Sequence, residues 1–152
     1  MRKLFMTLCV ALISLGASAQ QGTATFGAHA SFLLQDNKNV GIGANIGYEF
    51  IDNVRGVAEF DYYFKKDGDS CWNIEGNLEY LFHVGDSFTV YPLAGINLMG
   101  WTGDGTDTRL GLDLGGGVEY AITSNFSLKG EYVYKTQHSG WSILKAGVVL
   151  HF

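Results

Sequence analysis

The tightest constraint in this chain is an alternation of apolar and non-apolar residues that recurs in eight separate segments. A period of two sends successive side chains to opposite faces of a strand. The second segment shows it most fully: Val40, Ile42, Ala44, Ile46, Tyr48 and Phe50 share one face, and Gly41, Gly43, Asn45, Gly47 and Glu49 the other. The first segment runs from Thr23 to Leu34, the third from Val54 to Phe64 and the fourth from Trp72 to Phe82. Phe88 to Leu98, Leu110 to Tyr120 and Phe126 to Lys135 follow, and Lys145 to Phe152 forms the eighth. Tight turns separate them, among them Ile51-Asp52-Asn53, Gly85-Asp86-Ser87 and Thr123-Ser124-Asn125. Twenty-one glycines against one proline suit strands and turns, and no helical period appears beyond the amino-terminal stretch. Pro92 interrupts the fifth segment by removing a ladder donor, which predicts a bulge there.

A strand left at an edge exposes unpaired backbone groups, and pairing the last strand with the first abolishes both edges. The expected fold is therefore all-β: an eight-stranded antiparallel up-and-down barrel. The apolar face of the eight segments carries no Asp, Glu, Lys or Arg, whereas the other face collects glycines and charges of both signs. Segments of about ten residues match tilted membrane-spanning strands, and apolar-out with polar-in is the rule for such barrels. Aromatics gather at the two segment ends: Phe50, Phe82, Phe88, Tyr120, Phe126 and Phe152 at one, Tyr62, Phe64, Trp72, Trp101, Tyr134 and Trp141 at the other. Two interfacial girdles produce this distribution.

The chain opens with Met1-Arg2-Lys3, an apolar run to Gly16 and then Ala17-Ser18-Ala19. Basic start, short apolar run and an A-x-A site define a secretory signal peptide cleaved after Ala19, with Ala17 and Ala19 as the small residues of the site. The expected organisation is a signal peptide over residues 1–19 and a transmembrane barrel domain over 20–152. Past Ala19 the chain carries eight basic and fifteen acidic residues, which argues against nucleic acid as a partner. Only Cys71 remains beyond the signal peptide, too few for an intramolecular disulfide, and nothing beside it would activate a thiolate.

The stretches YPLAGINLMGW and LGGGVEYAITSNFSLKGEYVY resemble the fifth strand and the sixth-to-seventh hairpin of the small outer-membrane β-barrels of the outer-membrane protein A and X type, a porin-like family of Gram-negative bacteria. The terminal KAGVVLHF is similar to that family's assembly signal, with Lys145, Gly147, Leu150 and Phe152 in its places. The resemblance implies insertion by the barrel-assembly machinery, contact with outer-membrane lipids and lipopolysaccharide, an outer-membrane location with both termini periplasmic, a monomer and no cofactor.

Eight strands enclose a space that side chains just fill. The inward face carries Glu49, Arg55, Glu59, Asp61, Glu75, Glu79, Asp113, Glu119, Lys129, Glu131 and Lys145. In a low-dielectric lumen Arg55, Lys129 and Lys145 should each bridge carboxylates. The expected role is structural or interactive, with the lumen plugged by charge; the alternative is a narrow small-solute channel. A lipid-modifying enzyme is disfavoured. His138 and Ser139 are adjacent and so face opposite ways, and His29 with Ser31 is a weak match to the His-x-Ser pattern that the resemblance associates with deacylases. No spacing among His29, His83 and His151 suggests a catalytic or metal site. Asp67, Asp69, Asp104 and Asp107, in short connections, read as solvated loop carboxylates.

Overall fold

The structure, a computed structural model, describes residues 24–34, 39–66, 69–102, 106–136 and 140–152. The expected signal peptide and its Ala17–Ala19 site lie outside these residues, as do Asp67, Asp104, His138 and Ser139. Eight strands form one sheet: β1 (Ala24–Leu33), β2 (Val40–Ile51), β3 (Val54–Lys66), β4 (Asp69–Tyr80, resuming after Leu81 as Phe82–Val84), β5 (Phe88–Thr102), β6 (Thr106–Ala121), β7 (Phe126–Lys135) and β8 (Trp141–His151). Each pairs antiparallel with its neighbours in sequence, and β1 pairs with β8, from Thr25 opposite His151 to Leu33 opposite Ile143. The sheet is closed, as the alternation requires. Phe152 extends the seam, its backbone N–H donating to the Ala24 carbonyl at 2.9 Å.

Residue parity describes the whole wall. The buried side chains, from Thr25 to Val149, are odd-numbered, and the exposed large apolar ones are even-numbered apart from Ile51 at a turn. The turns preserve this phase. Asp52-Asn53 reverses the chain between β2 and β3 with Asn53 at φ 67°, a left-handed conformation that asparagine tolerates, and Gly85 supplies φ 79° in the next turn at the same end. Phe88 and Tyr120 stack edge-on at 6.4 Å near that end, and Tyr62 and Phe64 at 5.9 Å near the other.

Three sequence expectations need correction. Pro92 causes no bulge: Glu79 opposite Leu93 and Phe82 opposite Val90 keep one register, and the missing donor shows only as a break in β4 at Leu81. Asp107 does not lie in a connection, because β5 and β6 keep pairing out to Thr102 opposite Thr106. Trp101 and Trp141 are not in the lipid-facing girdle. Both fall on odd positions of strands that run further than the apolar alternation suggests, so they turn into the mouth of the barrel and pack edge-on at 5.7 Å.

Candidate functional site

The site is the lumen, and its walls dictate its contents. At the end bearing the longer connections, Leu33, Tyr63, Cys71, Met99 and Ile143 bury together beneath Trp101 and Trp141. Cys71 thus lies on the inner face of β4 in an apolar layer. An apolar layer of this kind admits no ion without a desolvation cost.

Beneath it lies a layer of charge. Lys145 on β8 reaches across to Glu75 on β4, its Nζ donating to both carboxylate oxygens at 3.1 Å, and it also donates to Glu59 and stands 3.5 Å from Asp61. Lys135 on β7 donates to the same Glu75 and, at 3.1 Å, to Asp113 on the neighbouring β6. Asn73 and Asn77 donate to Glu75 at 2.5 and 3.0 Å, and Asn97 donates to Asp113 at 2.5 Å. On the β1–β3 side His29 Nε2 lies 2.7 Å from Asp61 Oδ1 and 3.6 Å from Glu59 Oε1. Ser31 donates to Asp61 at 3.0 Å and Asn45 to Glu59 at 3.1 Å. His29 and Asp61 meet because Gly43 separates them on β2: a Cβ there would run into both.

The end with the tight turns holds a second cluster. Arg55 donates to Glu79 at 2.7 Å and, across the ring, to Glu119 at 2.5 Å. Lys129 lies 3.4 Å from Glu79 and 3.0 Å from Glu131. The Tyr91 hydroxyl donates to Glu131 at 2.8 Å, and the ring lies under both cations, with Arg55 at 5.6 Å and Lys129 at 5.3 Å. Gly117 leaves room for this ring, since a Cβ would meet the Tyr91 hydroxyl. Beyond Arg55 a cavity of about 350 Å³ opens outward, lined by Thr25, Glu49, Glu119, Ser127 and His151 among others.

Of the inward residues expected from the sequence, Arg55, Lys129 and Lys145 contact the Glu and Asp groups of β3, β4, β6 and β7, whereas Glu49 stays outside the network and accepts from the Asn53 backbone N–H at 3.0 Å. Lys135 joins the network although the sequence reading did not include it. It sits beside a connection, and only its odd position on β7 betrays its direction. His29 and Ser31 both contact Asp61 and are shut inside the wall, away from any membrane lipid, which does not suit a deacylase. Of the carboxylates expected in connections, Asp107 lies on β6 and pairs with exposed Arg109 at 3.3 Å. In the terminal stretch Lys145 faces the lumen, while Leu150 and Phe152 are exposed on the outer wall.

A closed eight-stranded sheet with an uncharged apolar exterior and an ion-paired interior is a transmembrane β-barrel. The chain belongs to the outer membrane protein beta-barrel domain family, matched over residues 5–152, and is thus an outer-membrane protein of the Gram-negative type. The amino-terminal barrel domain of Pseudomonas aeruginosa OprF is similar at 20% identity and a TM-score of 0.72, covering 87% of this chain and 100% of that one. Neisserial surface protein A is similar at 20% identity and a TM-score of 0.73, over 86% of this chain and 97% of that one. Ail, the attachment invasion locus protein of Yersinia pestis, gives 16% and 0.59 over 86% and 97%. No curated protein sequence matches the chain.

Proposed function

We propose that this protein is a structural or interaction barrel of the outer membrane whose lumen is closed to solutes. One observation carries the reading: buried ion pairs cross the lumen between strands that are not neighbours, Lys145 to Glu75 and Arg55 to Glu119, beneath an apolar layer capped by Trp101 and Trp141. Conduction would require separating these buried pairs, and a buried charge that loses its partner is strongly destabilised. In this reading the tight turns and both termini face the periplasm. The longer connections face outward to lipopolysaccharide, and the monomer is inserted by the barrel-assembly machinery reading Lys145, Gly147, Leu150 and Phe152. No catalytic step is assigned to it.

A second reading, a narrow small-solute channel, draws support from the cavity beyond Arg55, which reaches the Arg55–Glu119 pair from one side. Purified barrel reconstituted into planar bilayers separates the two. The closed reading expects no resolvable conductance; stable, repeated openings at moderate voltage would overturn it.

A further inference from the structure

The charge layer holds a group of side chains that the closed-lumen reading does not use. His29 Nε2, one oxygen of Glu59 and one of Asp61 all lie within 4.8 Å of one another. Around them Glu59, Asp61, Glu75 and Asp113 share two ammonium groups, those of Lys135 and Lys145, so with all four carboxylates ionised the formal charge of this cluster among the described residues is −2. Its acceptors are also under-supplied. Asn73 is wholly buried with its Nδ2 held between Asp61 Oδ2 at 3.3 Å and Glu75 Oε1 at 2.5 Å, which leaves its Oδ1 buried against the cluster with no donor. The Tyr63 hydroxyl, two residues after Asp61 on the same face of β3, is likewise buried and unpartnered, as is Asp113 Oδ2. Excess negative charge and orphaned acceptors call for a compact cation with donors of its own.

We propose that the lumen binds one divalent first-row transition-metal ion through His29 Nε2, Glu59 and Asp61. Imidazole with two carboxylates and no thiolate is a donor set for borderline ions such as Zn²⁺ or Co²⁺ rather than for Ca²⁺ or Mg²⁺, which favour oxygen alone. Ligands at ~2.0–2.2 Å from a tetrahedral ion stand roughly 3.3–3.5 Å apart. His29 and Glu59 are already at 3.6 Å, while His29 and Asp61, now hydrogen-bonded at 2.7 Å, open by about 0.6–0.8 Å to reach that spacing.

The surroundings are built for this. Ser31 and Asn73 orient Asp61, and the Asn45 amide nitrogen orients Glu59 and lies 3.4 Å from His29 Nδ1. Lys145 retreats onto Glu75, which it already contacts through both oxygens. The ion's two charges cancel the excess of the cluster, and a metal-bound water donates to Asn73 Oδ1. Gly43 and Gly147 flank His29 on the adjoining strands and leave the ring space to be a ligand.

The test is to refold the purified chain in detergent with excess Zn²⁺, pass it over chelating resin and measure metal by mass spectrometry. Folding is confirmed by heat-modifiable migration. The expectation is about one zinc per folded barrel, with His29→Gln retaining less than about a tenth and His83→Ala, at the turn end, retaining it all. X-ray absorption at the zinc edge of the parent protein should show one imidazole with oxygen neighbours, which keeps the test decisive even where a variant does not fold. A folded parent without zinc, an undiminished ion in folded His29→Gln, or a spectrum with sulfur or several imidazoles would each overturn the assignment. Conductance plays no part in these readouts, so the outcome is separate from that of the closed-lumen reading.

Discussion

Replacing Lys135 with methionine keeps the aliphatic stem and deletes the ammonium, and the structure says where the loss falls. Lys135 and Asp113 are cross-strand partners on the inner face of β7 and β6, both with side chains fully buried. Glu75, the other partner of Lys135, keeps Lys145, Asn73 and Asn77 when the ammonium goes. Among the described residues Asp113 keeps only Asn97 on one oxygen and has nothing on the other. Removing one member of a buried pair costs about 3–5 kcal/mol, because the remaining charge is stranded. At ~4 kcal/mol the ratio of folded to unfolded protein falls roughly a thousandfold, and for a denaturant slope of ~2 kcal/mol/M the urea midpoint drops by about 2 M.

Equilibrium unfolding in detergent micelles, followed by tryptophan emission and by heat-modifiable migration, measures this directly. Lys135→Met combined with Asp113→Asn should recover to within about 1 kcal/mol of the parent, since the stranded charge is gone. Lys135→Met combined with Glu75→Gln should not, because Asp113 is still unpaired and Lys145 has lost one of its carboxylate partners. A Lys135→Met barrel within about 1 kcal/mol of the parent would refute the reasoning, as would equal rescue by the two second substitutions.

Two glycines on the same wall should behave oppositely in the same assay. Gly115→Ala pushes a Cβ into the Tyr132 carbonyl on β7 and should cost about 1–3 kcal/mol, whereas Gly76→Ala has open space on the outer wall and should stay within about 0.5 kcal/mol. Phe152→Ala removes an exposed side chain, so refolding in detergent should match the parent while the amount inserted into the outer membrane of cells falls; unchanged insertion would remove Phe152 from the proposed assembly signal.

The barrel was legible because its cause is local. An extended chain alternates its side chains regardless of partners, so Val40 to Phe50 announces a strand with one apolar face before any neighbour is known. The uncharged face over eight segments then decides which side meets lipid, since a carboxylate or ammonium has no place there. Arg55, Glu59 and Lys145 are recognisably inward for the same reason. Strand ends were less legible: Trp101 and Trp141 lie where alternation fades into polar connections, and only continued pairing fixes their direction.

What the sequence determines by itself is therefore one-dimensional: strand count, face, and the demand that the first and last strands meet. The tertiary structure decides everything that depends on register and on crossing the ring. His29 and Asp61 are thirty-two residues apart and become neighbours because two hairpin-type pairings align both with Gly43, whose missing side chain lets them touch. Lys145 selects Glu75 because closure sets β8 opposite β4 across a lumen narrow enough for one side chain to span. Pairing along the wall follows from the backbone; pairing across the lumen follows from the barrel's diameter and stagger, which no single segment encodes.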